Sequence, residues 1–508
     1  MTSREVVKLT GLSVFLLFLF AGCDTLQENP PGELTRENFY ESAGDAKAAV
    51  VSVYEPWQGN FDWNSIAQVT FTPSPYATTR VQQFKVFSSY SFDASSGQFF
   101  TMWTKIYESI NRANAVIDNV PSIDMDEERR ASIVAEARFM RALNYFWATR
   151  LWGKVPLTLS ETTAPSEIPS TRAPIAEVYE AIIADLKAAE KALPAERSSS
   201  TAGRATSGAA SALLGKVYLT MARQPLEDGS KLQPAHDKLK EVIDSGTYAL
   251  QTNYADVFAN DNELNSEIIF AIQHSSASTG QGTQLGAITP PIDWAPATGF
   301  STLYFYGVTE DLYNAYDSTD ARPETAAIFS YESTNGDVVT FNDPEDSVVR
   351  YTNGNGLASL KYADLDQSCC NGDADVPMLR YADVLLLYAE TENELNGPTS
   401  EAFEYLNKVR ERASASAYDP SADSTGSAWT QESFRDIIYQ ERFLELSLEF
   451  KSVFTVRRFG RVEESFQESQ DIQEAGVSYD PKYDLFPIPQ RELDVNTEMS
   501  QNPGWGSS

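Results

Sequence analysis

Histidine is almost missing from these 508 residues, with only His236 and His274 present. A His-rich metal centre or two-histidine zinc motif cannot be assembled from them, and a Ser-His-Asp triad would have to rest on one of the two. No G-x-S-x-G, phosphate-cradling loop or dinucleotide fingerprint occurs. The three cysteines are too few for a disulfide scaffold. Basic residues are scarce as well: 39 Lys and Arg stand against 72 Asp and Glu, for a net charge of −33. That charge repels nucleic acid and anionic lipid surfaces, so a nucleic-acid role is excluded. It keeps the surface hydrated and suits a salt-rich medium. A glycosidase-like carboxylate pair could be drawn from so many acids, but the same abundance makes any chosen pair uninformative. The reading is therefore non-enzymatic, with no catalytic residue, metal or cofactor assigned.

Long apolar runs are also lacking. Leu12 to Phe20 is the one apolar stretch of note, well short of the roughly 20 residues of a membrane-spanning helix. Arg4 and Lys8 precede it, and Ala21 and Gly22 lead into Cys23. This pattern predicts a lipoprotein signal peptide over 1–22, with Cys23 as the lipid-bearing first residue of the mature chain. Residues 23–38, polar and marked by Pro30, Pro31 and Gly32, read as a flexible tether. The remainder exceeds the size of a single core, so several domains or a repeat array are expected. A content of 42% hydrophobic and 12% aromatic residues argues for an ordered body.

Helical periodicity recurs along that body. Trp103, Ile106, Tyr107, Ile110, Ala113, Ile117 and Val120 form one stripe. From Ala131 to Trp152 the apolar residues run nearly all the way round, which predicts a helix buried between neighbours and stopped at Gly153. A further helix follows Pro174, with Thr171 as a candidate cap, and ends before Pro194. Another pair is expected at Ser207 to Met221 and Pro234 to Ile243. Met378, Tyr381, Ala382, Leu385, Tyr388 and Ala389 make a later stripe, followed by a shorter helix through Phe403, Leu406 and Val409. Leu214, Gly215 and Tyr218 match part of the tetratricopeptide motif, although Ser211 stands where that motif has Trp. The periodicity alone leaves a tetratricopeptide-like array and a generic helical bundle open.

Two stretches lack helical period: an aromatic loop at 59–97, and 274–371. Long loops in a compact protein are usually functional. The first carries Trp63, Asn64, Tyr76, Arg80, Phe84 and Tyr90, and the second Trp294, Phe300, Tyr304 and Phe305 beside Asp293. A pyranose offers apolar C–H faces for stacking and a rim of hydroxyls for amide and guanidinium groups, so this mixture suits carbohydrate. Trp63, Asn64, Tyr76, Arg80, Phe84, Tyr90, Trp294 and Tyr304 are the candidate ligand-binding residues. Each aromatic could instead pin its loop to the helices. Cys369 and Cys370 are adjacent near Asp366, Asp373 and Asp375. A vicinal disulfide there would be strained, since adjacent Cα atoms lie about 3.8 Å apart, yet an oxidising compartment would allow it and it would stiffen the loop.

Several strings then carry a resemblance. FYESAGDAKAAVVSVYEPW from Phe39, YESINRANAVIDNV from Tyr107, AEARFMRALNYFWATRLWGKVPL from Ala135 and GRATSGAASALLGKVYL from Gly203 resemble the SusD/RagB outer-membrane lipoproteins. So do VPMLRYADVLLLYAET from Val376, IYQERFLELSLEFKSVFTVRRFGR from Ile438, LFPIPQREL from Leu485 and the closing NPGW at Asn502 to Trp505, in the family's order. Thr455 departs from the Asp common at that place. The resemblance implies a mainly α fold of four tetratricopeptide-like helix pairs, with a large irregular region containing a few short strands. It places a SusD-like region at 39–273 and a RagB/SusD region at 274–508, loop-rich over 274–371 and helical over 376–460. It further implies a lipid-anchored outer-membrane protein facing the exterior, which captures a nutrient and acts as the lid of a SusC-like TonB-dependent barrel. The ligand would be an oligosaccharide, favoured on stacking grounds, or a peptide. The rival readings are a lipoprotein scaffold that docks proteins through its repeats, and a surface hydrolase. A pure scaffold has no need of Trp63, Tyr76, Trp294 and Tyr304 exposed together, so their exposure separates the first two.

Overall fold

The structure, a computed structural model, describes residues 39–59, 62–278, 280–297, 302–342, 356–365, 367 and 370–506. Cys23, the signal peptide and the tether lie outside the described residues. So do Phe300, Asp366 and Cys369, and with Cys369 the expected vicinal disulfide.

Helices dominate. A short α1 (Ala43–Ser52) and α2 (Asp62–Thr70) pack on α3 (Gly97–Asn119), which buries the predicted stripe through Trp103, Ile106, Ile110 and Ala113. Then α4 (Glu127–Trp152) starts where Asp126 accepts a hydrogen bond from the Arg129 N–H at 2.8 Å, and ends at Gly153 with φ +72°. Its all-round apolar surface follows from packing between α3 and α5 (Ile175–Ala192). Pro174, not Thr171, takes the cap position of α5, and no side chain caps it. Next come α6 (Ser207–Ala222) and α7 (Leu232–Asp244). Gly215 of α6 lies so close to α7 that a Cβ there would come within 2.8 Å of the Leu239 side chain, which is the physical reason for glycine in the Leu214-Gly215-x-x-Tyr218 string.

The array resumes after the irregular region with α8 (Tyr381–Asn396), which packs on α7 and carries both α9 (Ser400–Arg412) and α10 (Gln431–Leu446). Phe403 and Phe434 meet edge to face at 4.7 Å between α9 and α10. A short α11 (Ser452–Arg458) follows. Buried Lys216 of α6 reaches Asp383 of α8 at 2.8 Å, so the repeats continue across the 273/274 boundary. The fold is the mainly α, tetratricopeptide-like helical array with few short strands that was expected.

Among the described residues, six short strands organise the irregular region. They are β1 (Ala77–Thr79), β2 (Ile268–Ile272), β3 (Tyr306–Val308), β4 (Ser330–Glu332), β5 (Val338–Thr340) and β6 (Val376–Arg380), paired antiparallel as β1–β3, β2–β6 and β4–β5. Ile272 pairs with Val376, so the chain leaves for the loop-rich region and returns from it at the same place. Met378 therefore lies on β6 and not on the helical stripe assigned from sequence, and α8 begins only at Tyr381. The 59–97 stretch is likewise more ordered than a loop, since it contains α2, β1 and a helical turn at Lys85–Ser88. No helix among the described residues is long and apolar enough to cross a membrane.

Candidate functional site

Pairing of β1 with β3, Ala77 opposite Val308, fastens the first aromatic stretch to the second. The ladder then widens without regular strands. Val308 and Leu357 exchange backbone hydrogen bonds of 2.9 and 2.7 Å, the Ile328 N–H donates to the Ala358 carbonyl at 2.8 Å, and the Ala295 N–H donates to the Glu332 carbonyl at 2.8 Å. Segments far apart in sequence thus form one irregular surface, and Trp294 lies in it opposite Ser333. Arg80 locks the margin. Its Nη2 donates to the Leu303 carbonyl at 2.9 Å and its Nε to the Tyr304 carbonyl at 2.5 Å.

The eight candidate residues divide by burial. Trp63, Tyr90 and Tyr304 are enclosed, at 0, 1 and 1% exposure, and present no face to a sugar in this structure. Trp63 donates through Nε1 to Nε2 of His274 at 2.8 Å and packs against Phe450 at 4.7 Å. Tyr90, held at φ +55°, packs on Phe466 and donates to the Pro73 carbonyl at 3.3 Å. Tyr304 donates to the Gly356 carbonyl at 2.5 Å. These three are loop pins, which corrects their assignment as stacking platforms. Consequently Trp63, Tyr76, Trp294 and Tyr304 are not exposed together.

The other five are half-buried. The Asn64 side-chain carbonyl accepts from the Tyr306 hydroxyl, so part of its hydrogen-bonding capacity is engaged. Tyr76 leans on Phe443 at 4.8 Å, and burial pushes its hydroxyl up to about 12. Phe84 meets Phe305 edge to face at 5.5 Å and stacks on Tyr306 at 6.2 Å. Phe305 and Leu303 are themselves half-buried beside Arg80. A second aromatic pair escaped the sequence reading: Phe329, 41% exposed, stacks on half-buried Tyr313 at 5.2 Å. Both lie in aperiodic chain, where nothing but composition could have marked them. Phe84 and Phe305 pack together, and Arg80 lies beside them, its backbone N–H donating to the Phe305 carbonyl at 3.2 Å; Trp294 and the Tyr313–Phe329 pair add partly exposed rings on other segments of the same irregular region, a set of groups suited to C–H stacking and guanidinium hydrogen bonding.

Several groups with shifted or buried acid–base character lie at the base of the irregular region and in the helices. His274 is buried, and desolvation depresses it to about 4, so it is neutral and accepts from Trp63. His236 is half-buried: its ring packs on Tyr388 at 4.7 Å, with Nε2 3.1 Å from Glu392. Burial and the neighbouring Asp375 raise Glu263 to about 8, and burial raises Asp375 to about 7. Asp375 accepts from the His274 N–H at 2.8 Å, and Glu263 from the Asp375 N–H at 3.2 Å, so both brace the base of the loop region. Among the described residues no group of three or more His, Cys, Asp or Glu is placed to hold a metal.

Fold and face together define a helical-repeat protein that carries an irregular, aromatic-bearing platform. Two family models match the chain: one described as SusD family, over residues 349–505, and one described as starch-binding associating with outer membrane, over residues 39–219. The chain belongs to the SusD/RagB family. It is 28% identical to SusD-like protein P2 of Formosa agariphila, with 97% of this chain and 98% of that one aligned. A SusD homolog from Bacteroides thetaiotaomicron superposes with a TM-score of 0.80 at 23% identity, covering 92% of this chain and 98% of the other. A laminarin-binding SusD-like protein gives a TM-score of 0.74 at 26% identity, covering 92% and 100%.

Proposed function

We propose that this protein captures an oligosaccharide at the cell surface and hands it, chemically unchanged, to a SusC-like TonB-dependent barrel in the outer membrane. The observation that carries this reading is the set of partly exposed rings at Phe84, Trp294, Phe305 and Phe329 in the irregular region that the β1–β3 ladder and the Arg80 clamp help to hold together. The likeness to a laminarin-binding relative and to a family described as starch-binding supports a glycan over a peptide. Cys23, once lipidated, tethers the body through residues 23–38 on the outer face. Half-buried Asn64 and Tyr76 are assigned to contribute polar contacts.

Calorimetric titration against a panel of oligosaccharides and peptides tests the reading. Saturable binding of an oligosaccharide with no product released supports it. Binding of peptides alone points to a peptide-importing member of the family, released reducing ends point to a hydrolase, and silence across the panel favours a protein-docking scaffold. Co-purification of a TonB-dependent barrel from outer membranes tests the partner.

A further inference from the structure

A large cavity exists apart from the aromatic face. It measures about 620 Å³ and lies between the end of α4, the start of α5, the end of α6 and α11, closed by the C-terminal segment around 479–504. None of its lining residues falls within 59–97 or 274–371. Its walls are largely apolar, through Ile175, Tyr179, Phe454 and Leu485, but three arginines, Arg150, Arg457 and Arg458, and Lys482 also line them.

The Arg150 guanidinium is sandwiched between Phe146 and Phe454, its Cζ 3.9 and 3.8 Å from the two ring centroids. Its Nε donates to the Phe146 carbonyl at 3.1 Å, and its two Nη atoms have no hydrogen bond to a described residue. Arg457 lies over the Phe486 ring at 4.0 Å and donates from Nη1 to the Arg150 carbonyl at 3.0 Å. Its Nε and Nη2 are shielded from solvent and have no partner. Neither arginine forms an ion pair with a described acid, whereas neighbouring Arg458 pairs with Glu390. Burial lowers Arg150 to about 9 and Arg457 to about 10, so both remain charged at neutral pH. Asp383 acts on Arg150 and Asp484 on Arg457 only from beyond ion-pair distance, so these desolvated cations lack a directly bonded counter-charge, and guanidinium groups with idle N–H edges are matched to a planar carboxylate.

We propose that this cavity is a second ligand site, which takes a small monocarboxylate with a ring-shaped or apolar body and seats the carboxylate on Arg150 and Arg457. The volume falls in the range of small-molecule sites, about 300–1,000 Å³. Charge limits the ligand further. Glu463, Asp480 and Asp484 also line the cavity, with Asp480 accepting from the Lys482 N–H and Asp484 from the Tyr479 hydroxyl. These acids oppose a phosphate or a polyanion but tolerate a single carboxylate held against two guanidinium groups.

The test is calorimetric titration of the full chain in detergent with benzoate and cyclohexanecarboxylate, each beside its neutral counterpart, benzamide or cyclohexanecarboxamide. At least one carboxylate should bind saturably and about tenfold or more tighter than its neutral counterpart, the scale of a charge-assisted hydrogen bond. Arg457→Gln should weaken it by a similar factor. Gln224→Trp, at an exposed rim position that touches neither arginine, should also weaken it and guards against misfolding of the arginine variant. Absence of saturable binding, equal binding of acid and neutral counterpart, or affinity unchanged in Gln224→Trp would overturn the proposal. None of these outcomes bears on oligosaccharide binding at the aromatic face.

Discussion

Arg380, the last residue of β6, donates to Glu445 through Nη1 at 2.6 Å and to Glu449 through Nε at 2.7 Å, with all three side chains fully buried. Glu445 also receives Arg412, and Arg322 reaches both Glu445 and Glu441. Lys361 binds Glu449 at 2.7 Å. Burial alone would raise Glu445, but Arg412, Arg380 and Arg322 outweigh it and hold the carboxyl down to about 2. The family strings from Val376 and Ile438 thus meet as an ion network between strand and helix.

Removing one partner leaves charges uncompensated in the interior. Arg380→Met is expected to cost about 3–5 kcal/mol, read from urea unfolding midpoints. Because Glu445 is depressed below its ordinary value of 4.5, the stability it confers is present above pH 4.5 and lost as pH falls toward 2. A loss below about 1 kcal/mol would mean that the remaining cations suffice.

Trp63 illustrates a correction with a consequence. Trp63→Phe keeps most of the ring but removes the donor to His274, leaving a buried acceptor unpaired. The expected loss is about 1–3 kcal/mol of stability, with oligosaccharide affinity unchanged. A selective loss of affinity at unchanged stability would return Trp63 to the binding face.

The contact of α6 with α7 sets a third expectation. Gly215→Leu places a side chain where even a Cβ would meet Leu239 at 2.8 Å. Overpacking of this kind costs about 1–3 kcal/mol, visible as a lowered melting temperature. An unchanged melting temperature would show that the helices can separate without penalty.

Glu263 and Asp375 make stability depend on pH in the opposite sense to the ion network. Folding raises Glu263 from 4.5 to about 8, chiefly through burial and then the Asp375 charge, and raises Asp375 from 3.8 to about 7 through burial. The unfolded chain releases these protons first, so their effect on stability falls as pH rises from about 4 to about 8. Glu263→Gln should flatten the decline in melting temperature between pH 5.5 and 8.5. Parallel curves for the variant and the parent would contradict the assignment.

Much of the scaffold was legible because helices carry a 3.6-residue code. The all-round apolar run of α4 and the single stripe of α3 state their neighbours in advance. Met378 was misread since strand β6 runs directly into α8, and apolar residues continue through the junction without a break. Three-to-four spacing of Trp63, Ile66, Ala67 and Thr70 did mark α2, but it is hidden in a stretch otherwise read as loop. The ring face was legible only as composition. In aperiodic chain no alternation tells inside from outside, and the burial of Trp63 is fixed by His274, 211 residues away. Half-buried Phe305 and exposed Phe329 emerge as accessible rings only once the pairings of β3 and of Ile328 with Ala358 are known.

The most direct test of the central claim is titration of the full chain with laminarihexaose and maltohexaose, comparing the parent with Trp294→Ala and Phe305→Ala while assaying for released sugar. The account predicts saturable binding of at least one hexasaccharide, no product, and an affinity lowered about 2- to 10-fold by each substitution, as expected for loss of an aromatic platform. Affinity unchanged in both variants, or sugar released during the titration, would contradict it.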